Sequence, residues 1–376
     1  MNVYLYPADQ WGCGSYRMIW PAQAAAEAQP DWQISIVIPG ERSVPMVFDP
    51  RTGEVIKEGF PRDADVVVLQ RPSNFFQPQL VDLLRARGVA VVVDMDDDLA
   101  HIDGSNPAFR MLAARVPHPE YDKLSPVDKQ RLTRMVPNMH SFHHATEACR
   151  RATLVTVSTI GLAAVYGAHG RVRVVPNQVP AAYLDVPHED SDLIGWGGTA
   201  VTHPYDLQQV GASMARLVQT GHRFETVGDP TGVGRALGIG ADPAGPGNVG
   251  IMEWPAAIAR FGIGIAPLAM TRFNQGKSWL KPLEYAAVGV PAVVSPTADY
   301  LRWADRCGGC VVAAKPRQWQ GILRGLARDP GRRQEMTEAG RAAAAGNTIE
   351  GNVGRWLQAW ADAVDLQRGK VSAGAG

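Results

Sequence analysis

Residues 273–295 read FNQGKSWLKPLEYAAVGVPAVVS, and this stretch decides the fold. A polar loop leads into a predicted helix whose apolar positions share one face. These positions are Leu280, Leu283 and Ala287. Gly289 stands where helices often end in a left-handed residue, and the β-branched run after it predicts a strand. A helix followed by a short, wholly apolar strand is typical of α/β proteins with parallel sheets.

Apolar, β-branched runs of this kind recur along the 376-residue chain. In the first half they are Val3–Tyr6, Ile34–Ile38, Asp65–Leu69, Val89–Val93, Leu154–Val157 and Val172–Val175. In the second half they are Leu193–Trp196, Phe224–Val227, Val249–Ile251, Gly262–Ala266, Ala292–Val294 and Val311–Ala313. Because helical stretches separate them, the runs predict two doubly wound parallel sheets of six strands each.

The domain boundary is predicted near Pro180–Asp192, a polar, turn-rich stretch with two prolines. We therefore expect a first Rossmann-like domain over residues 1–185 and a second over residues 186–348. The helical period that follows predicts a C-terminal helix over residues 349–367 that crosses back to the first domain. Residues 368–376 are predicted to be a disordered tail.

The charge balance excludes some classes of function. The chain has 37 Lys and Arg residues against 37 Asp and Glu residues, a formal net charge of +0. Such a chain is not expected to hold duplex nucleic acid or an anionic membrane by bulk charge. Neither a signal peptide nor a membrane span is predicted, and four scattered cysteines are too few for a disulfide framework. A cytoplasmic location is expected, that of the host if a phage encodes the protein.

A glycine motif follows the first predicted strand. Gly12, Gly14 and Arg17 lie in GCGSYR, just before the predicted helix Met18–Ala28. Glycines at this place allow a ligand to approach the backbone, and the helix N-terminus favours an anion. The alternative is a plain tight turn. The NAD fingerprint is incomplete, because Arg17 occupies the place of its third glycine.

An acidic cluster, Asp94–Asp98, directly follows the strand VAVVV. Three interpretations remain open. The carboxylates could chelate a divalent cation; one of them could act as a base or orient an acceptor hydroxyl; or Asp97 or Asp98 could cap the next helix. His101 lies close enough in sequence to share the site.

A second glycine motif, GWGGT, ends the first strand of the second domain. Gly197 and Gly198 are suited to close approach of a phosphate to the backbone. His203 follows and could bond a ligand or pack as an ordinary surface histidine.

In the opening stretch, Lys277, Lys281 and Glu284 are spaced by four and three residues, which predicts one helix face. A solvated salt bridge would explain this spacing. However, positive charge near a helix N-terminus is disfavoured unless an anion is present, which favours a bound diphosphate.

These motifs, taken in order, resemble a GT-B glycosyltransferase of the family 4 type. The resemblance rests on residues 12–17, 158–166, 176–177, 195–206, 227–229 and 265–268, and above all on 277–295. It implies two Rossmann-like domains that face a cleft. Sequences with a similar start and acidic cluster are found in bacterial and actinobacteriophage proteins.

The resemblance also implies roles for residues in the donor site. Glu284 would hold the ribose of a nucleotide-diphosphate sugar, Lys277 or Lys281 would meet its diphosphate, and Gly12 and Gly14 would approach it from the first domain. Family 4 often has a second glutamate eight positions before the first, but Gly276 stands there. The residues that could take over its contact with the sugar are Asn274, Lys277 and Ser278.

By the same resemblance the enzyme would retain anomeric configuration and need no metal and no cofactor besides its co-substrate. If the reaction inverts instead, Asp97, Asp98 or His101 is the expected base. The acceptor is open: a glycan, a lipid-linked sugar, a protein hydroxyl or a hydroxymethylated base in phage DNA. For the DNA acceptor, a local groove could be lined by Arg110, Arg115, Arg131 and Arg134. A non-catalytic nucleotide-sugar-binding protein is the alternative class.

Overall fold

The computed structural model describes residues 1–38, 59–109 and 141–369 except 75, 169 and 204, and short pieces at 47–48, 55–57, 125 and 127–128. The chain forms two compact units. Unit 1 consists of Met1–Pro176 and Val353–Gly376, and unit 2 of Asn177–Asn352. The disordered tail was predicted over residues 368–376, but Arg368 and Gly369 form a turn at the end of the last helix. Residues 370–376 and the four arginines of the predicted groove lie outside the described residues.

Unit 1 is built on a six-stranded sheet and a short antiparallel hairpin. The strands are β1 (Asn2–Tyr6), β2 (Gln33–Ile36), β3 (Val47–Phe48), β4 (Val55–Lys57), β5 (Val66–Gln70), β6 (Ala90–Met95), β7 (Leu154–Val157) and β8 (Val172–Val174). The sheet order is β2-β1-β5-β6-β7-β8, all parallel, and β3 pairs with β4. All six runs predicted in the first half form this sheet, whereas the hairpin was not predicted.

The helices of unit 1 surround this sheet, whose central strands β5 and β6 are buried throughout. They are Gly12–Gly14, Ser15–Ile19, Trp20–Ala28, Gln77–Ala86, Leu99–His101, Ser141–Arg151, Ile160–Tyr166 and Gly354–Gln367. The first three are continuous, with π-helical geometry over Ser15–Ile19. This helix therefore begins at Gly12 rather than at Met18, and the glycine motif belongs to its first turn.

The predicted C-terminal helix is interrupted at Val353. Its first turn, Ile349–Asn352, belongs to unit 2, and Gly354–Gln367 belongs to unit 1 and packs against β6 and β7. Gln367 anchors the end of this helix: its Nε2 donates to the carbonyl of Arg85 at 2.9 Å, and its Oε1 accepts from Thr153 Oγ1 at 3.0 Å. The helix thus completes the core of unit 1.

Unit 2 is built on a five-stranded parallel sheet. The strands are β9 (Ile194–Gly197), β10 (Phe224–Val227), β11 (Ile263–Ala266), β12 (Ala292–Val294) and β13 (Cys310–Val312), in the order β10-β9-β11-β12-β13. The sixth predicted strand, Val249–Ile251, is wrong. The segment before it forms an isolated bridge to β10 at Gly247, and the Gly250 carbonyl then accepts the amide of Trp254 as the next helix begins.

The helices of unit 2 alternate with these strands. They are Ala181–Asp185, Ala200–Thr202, Leu207–Gln209, Gly211–Gln219, Val233–Leu237, Trp254–Ile258, Arg272–Gln275, Leu280–Ala287, Ala298–Cys307, Gln318–Arg328, Pro330–Ala345 and Ile349–Asn352. As predicted, Gly289 follows Leu280–Ala287 in the left-handed region, with φ of 88°. Over the described part of the chain, no helix is both long and apolar enough to span a bilayer.

The topology of unit 2 determines where a ligand is expected. Strand order reverses between β9 and β11, and doubly wound sheets bind ligands outside the carboxyl ends of the strands at this point. In unit 1 the corresponding reversal lies between β1 and β5. The structure confirms the predicted fold class of two doubly wound parallel sheets with surrounding helices.

Candidate functional site

The end of β9 in unit 2 lies at this switch point. The Lys281 Nζ donates to the carbonyl oxygen of Gly197 at 2.5 Å, so the second residue of the helix Leu280–Ala287 reaches the end of the strand. A Cβ on Gly197 would lie 2.7 Å from the Trp254 ring, and one on Gly198 2.8 Å from the Trp196 ring. Glycine is therefore required at both positions by packing within unit 2.

Tyr285 fixes the peptide of Gly197. Its hydroxyl accepts the Gly197 amide at 3.1 Å and donates to the carbonyl of Ile265, on β11, at 3.4 Å. Burial raises the pKa of this hydroxyl well above its ordinary value, so it remains a donor at all ordinary pH values. The two strands at the switch point are thus joined by one side chain.

The ammonium group of Lys281 belongs to a partly buried side chain. Its Nζ lies 5.5 Å from the centre of the Trp254 ring. Burial lowers the pKa of Lys281; the carboxylate of Glu284 opposes this effect, and the charge of Lys277 adds to it. Lys277 lies in the loop before the helix, with Nζ 4.5 Å from the centre of the Phe273 ring. The prediction that all three residues share one helix face is wrong for Lys277, but the two lysines are neighbours.

His203 brings a third basic group to this place. Its Nδ1 lies 3.1 Å from Asp206 Oδ2, and its ring meets the Trp196 ring edge-on at 6.2 Å. Burial lowers the pKa of His203 and the bond to Asp206 raises it, while the charges of Lys277 and Lys281 lower it further. Three basic side chains therefore influence one another electrostatically at the end of β9.

Asp206 connects the loops around this cluster. Its Oδ1 accepts the Ala269 amide at 2.7 Å and Asn274 Nδ2 at 2.7 Å. The same Nδ2 also donates to the Ala269 carbonyl at 2.9 Å. Asn274 is 3% exposed, so its amide group serves contacts inside unit 2. Asp206 thereby fastens the segment after β9 to the segment after β11.

Ser278 lies in the loop between Lys277 and the helix. Its hydroxyl accepts Asn177 Nδ2 at 2.8 Å. The next residue, Trp279, donates its backbone amide to Asp299 Oδ2 at 3.0 Å and its indole Nε1 to the Asn177 carbonyl at 3.0 Å. This loop is held on both sides by buried polar contacts, which fix its conformation.

Eight of the residues predicted for the donor site belong to unit 2. They are Gly197, Gly198, His203, Asn274, Lys277, Ser278, Lys281 and Glu284, the last of which follows one turn after Lys281 on the same helix. Glu284 is only 5% exposed. The described arrangement concentrates positive charge beside backbone groups, which is the chemistry that binds phosphates.

The predicted donor residues of unit 1 have their own environment. Arg17 is buried and pairs with Asp94: Nε lies 3.0 Å from Oδ1, and NH2 lies 2.5 Å from Oδ2. Its NH1 donates to the Val175 carbonyl at 2.5 Å, and Thr156 Oγ1 donates to Asp94 Oδ2 at 2.6 Å. This buried network ties the first helix of unit 1 to β6, β7 and the end of β8.

Gly12 and Gly14 differ in what surrounds them. A Cβ on Gly14 would lie 1.8 Å from the Asp9 carbonyl oxygen, and the Gly14 amide donates to Asp9 Oδ1 at 2.9 Å. No described residue has an atom within 4 Å of a Cβ built on Gly12. Gly14 is therefore required by its close contact with the backbone of Asp9, while Gly12 has open space beside it.

The rest of the acidic cluster contains a carboxylate–histidine pair. Asp98 Oδ2 lies 2.7 Å from His101 Nδ1, with the Asp98 side chain 2% and the His101 side chain 29% exposed. Asp98 precedes the turn Leu99–His101 without a side-chain capping bond. The Asp97 carbonyl accepts the Tyr166 hydroxyl at 2.9 Å. In the part of the chain that is described, no three metal-binding side chains gather in one group.

Two residues of the unit 2 site were missed by sequence reasoning. Asp206 follows His203 by three residues, a spacing that brings side chains together on a helical turn and could have indicated the pair. Tyr285 carried no such signal, because its partners Gly197 and Ile265 are distant in sequence.

Comparison with solved structures agrees with this fold. Anabaena Alr3699/HepE in complex with UDP is similar over 96% of this chain and 99% of that chain, with a TM-score of 0.61 and 10% identity. Sucrose-phosphate synthase from Thermosynechococcus elongatus is similar over 96% and 98%, with a TM-score of 0.62 and 12% identity. A glycosyltransferase from Rickettsia africae is similar over 96% and 98%, with a TM-score of 0.56 and 11% identity. The chain has the two-domain α/β GT-B fold. No protein-family model matches it, and no curated protein matches it in sequence.

Proposed function

We propose that this protein is a glycosyltransferase that takes its sugar from a nucleotide-diphosphate donor, and that unit 2 binds the donor. The observation that carries the proposal is the cluster of Lys277, Lys281 and His203 at the end of β9. Two lysines and a histidine gathered at a topological switch point favour a polyanionic ligand. The similarity to a structure described as a complex with UDP supports a nucleoside diphosphate as that ligand.

Within this proposal, Lys277 and Lys281 meet the diphosphate and Glu284 meets the ribose. When the bond between sugar and phosphate breaks, charge develops on the departing diphosphate, and fixed cations stabilise it without a metal ion. Asn274 contributes by holding Asp206, and Ser278 by fixing the loop. Retention of configuration follows from the resemblance to family 4, whose membership stays a prediction.

Unit 1 is proposed to serve the acceptor. Should the reaction invert configuration, His101 is the base of choice, because its ring is partly exposed and the buried Asp98 carboxylate orients it. The acceptor hydroxyl, on a glycan, a lipid-linked sugar, a protein or a modified DNA base, stays open within the proposal.

The experiment is a screen of UDP-, GDP- and dTDP-sugars by thermal shift, followed by calorimetry with the best ligand. Lys281→Met keeps the apolar stem of the side chain, and Glu284→Gln keeps the shape of the carboxylate; each is expected to weaken binding at least about tenfold, which corresponds to 1.4 kcal/mol. The matched controls are Lys315→Met and Glu335→Gln, at exposed positions of unit 2. Unchanged affinity in both site variants would overturn the site assignment.

A second candidate is a non-catalytic protein that binds nucleotide sugars. It is favoured by Gly276, which stands where family 4 often has a glutamate for the transferred sugar. Release of free nucleotide from any donor by the wild-type chain, lost in Lys281→Met, would exclude it.

A further inference from the structure

Asp206 is buried beneath the proposed donor site, and its two carboxylate oxygens have different hydrogen-bond partners. Both bonds to Oδ1 come from groups that can only donate: the backbone N–H of Ala269 and the amide Nδ2 of Asn274, each at 2.7 Å. Oδ2 faces the ring of His203, whose Nδ1 lies 3.1 Å away. The carboxylate is 2% exposed and is therefore held in one orientation.

This division determines which nitrogen of His203 carries the proton. A carboxyl group is a much stronger acid than an imidazolium ion, so the proton between the two belongs to the ring. An ionised carboxylate only accepts hydrogen bonds, so Nδ1 must donate to Oδ2 whether the ring is neutral or charged. In the neutral ring, Nε2 is then the unprotonated nitrogen.

We propose that Asp206 is a positioning residue that fixes His203 in the Nδ1–H tautomer, so that Nε2 is the atom offered to the diphosphate of the donor. This inference rests on the proposed function. When the anion binds, Nε2 takes one proton from solvent and donates a charged hydrogen bond to a phosphate oxygen. The charged groups that act on His203 are Asp206, Lys277 and Lys281.

Asp206→Asn is the informative variant because the neighbouring hydrogen-bond donors fix the orientation of the new side-chain amide. Its oxygen is needed at the Oδ1 position to accept the Ala269 and Asn274 donors. Its NH2 group then takes the Oδ2 position and donates to Nδ1 of His203. The substitution is therefore expected to move the proton of the neutral ring from Nδ1 to Nε2.

The test is a long-range proton–nitrogen correlation spectrum of the full chain labelled with nitrogen-15. The signals of His203, one of nine histidines, are assigned by their loss in His203→Gln. Wild type is expected to show the Nδ1–H tautomer and Asp206→Asn the Nε2–H tautomer. Asn274→Ala removes a bond to Oδ1 but leaves the His203 contact, so it is expected to keep the wild-type tautomer.

An Nε2–H tautomer in wild type, or an unchanged tautomer in Asp206→Asn, overturns the inference. If Asp206→Asn fails to fold, the wild-type and Asn274→Ala spectra still decide it. Calorimetry with UDP-glucose adds the functional arm: Asp206→Asn and His203→Gln are each expected to bind about fivefold to tenfold more weakly, and the double variant no more weakly than either. If wild type binds none of the UDP-, GDP- and dTDP-sugars of the screen, that result counts against the proposed function, whereas the tautomer result tests Asp206 by itself.

Discussion

The guanidinium of Arg17 and the carboxylate of Asp94 form a buried two-point ion pair between residues 77 positions apart. Their side chains are only 1% and 3% exposed. Breaking such a pair leaves a charge in the interior without its partner, which costs far more than the net stabilisation that the intact pair provides.

Arg17→Met is therefore expected to lower the free energy of unfolding by about 3–5 kcal/mol. Equilibrium unfolding in urea measures it. Arg368→Met, at an exposed pair with Asp65, is the control and is expected to cost less than about 1 kcal/mol. The double variant Arg17→Met with Asp94→Leu is expected to regain much of the loss, because no unpaired charge remains. A fully stable Arg17→Met protein would contradict the structural role.

Gly14→Ala and Gly12→Ala are a matched pair in one turn of helix. At Gly14 the new methyl group would lie 1.8 Å from the Asp9 carbonyl oxygen, so the backbone must shift, at a cost of about 1–3 kcal/mol. At Gly12 the methyl group meets no atom of the described residues within 4 Å, and alanine is expected to stabilise the helix by up to about 1 kcal/mol. Thermal unfolding distinguishes the two. If Gly12 also lets a donor approach, Gly12→Ala will weaken UDP-glucose binding without loss of stability.

Affinity for UDP-glucose is expected to rise as pH falls. The pKa of His203 lies below its ordinary value in the free protein, and a bound anion raises it. The complex therefore holds more protons than the free protein between these two pKa values. Affinity increases as pH falls through this window, by about tenfold for each unit that binding adds to the pKa, and levels off below the pKa of the free protein.

Calorimetry in buffers of different ionisation enthalpy measures this proton uptake directly. His203→Gln is expected to abolish it, and His222→Gln, elsewhere in unit 2, to leave it unchanged. A diphosphate diester has no titrating group of its own in this range, so uptake that persists in His203→Gln would show that another residue is responsible.

Tyr285→Phe tests the support beneath Lys281. The variant removes the acceptor of the buried Gly197 amide and is expected to destabilise the protein by about 1–3 kcal/mol. Because Lys281 bonds the carbonyl of the same residue, UDP-glucose binding should weaken as well. Tyr205→Phe, at an exposed position, is the control. If the variant loses stability but binds UDP-glucose with unchanged affinity, the Gly197 peptide does not contribute to ligand binding.

The sequence predicted the elements that local patterns determine. Apolar runs marked the six strands of the parallel sheet in unit 1, and Gly289 marked the end of the helix that carries Lys281. The strand predicted at Val249–Ile251 was wrong because so short an apolar run fits either element. The carbonyl of its Gly250 accepts a hydrogen bond at the start of a helix instead of joining a sheet. The hairpin β3–β4 was missed because it has only five residues in strands.

The candidate site was predictable where residues are close in sequence and unpredictable where contacts are long-range. Lys281 and Glu284 were found from helical spacing. The hydrogen bond between Asp206 and Asn274 joins positions 68 residues apart, and neither amino-acid composition nor hydrophobic periodicity predicts it. For the same reason the ion pair of Arg17 with Asp94 was not predicted, since Arg17 lies on the first helix and Asp94 lies on β6, 77 positions away.

The return of residues 354–367 to unit 1 has a consequence for synthesis on the ribosome. Every residue of unit 2 is translated before this helix, so unit 2 can fold first although unit 1 begins the chain. Until the helix emerges, the faces of β6 and β7 that it covers stay exposed, and nascent unit 1 offers an apolar surface to chaperones. A stop codon after Asn352 would therefore destabilise unit 1, at the N-terminus, and leave unit 2 intact.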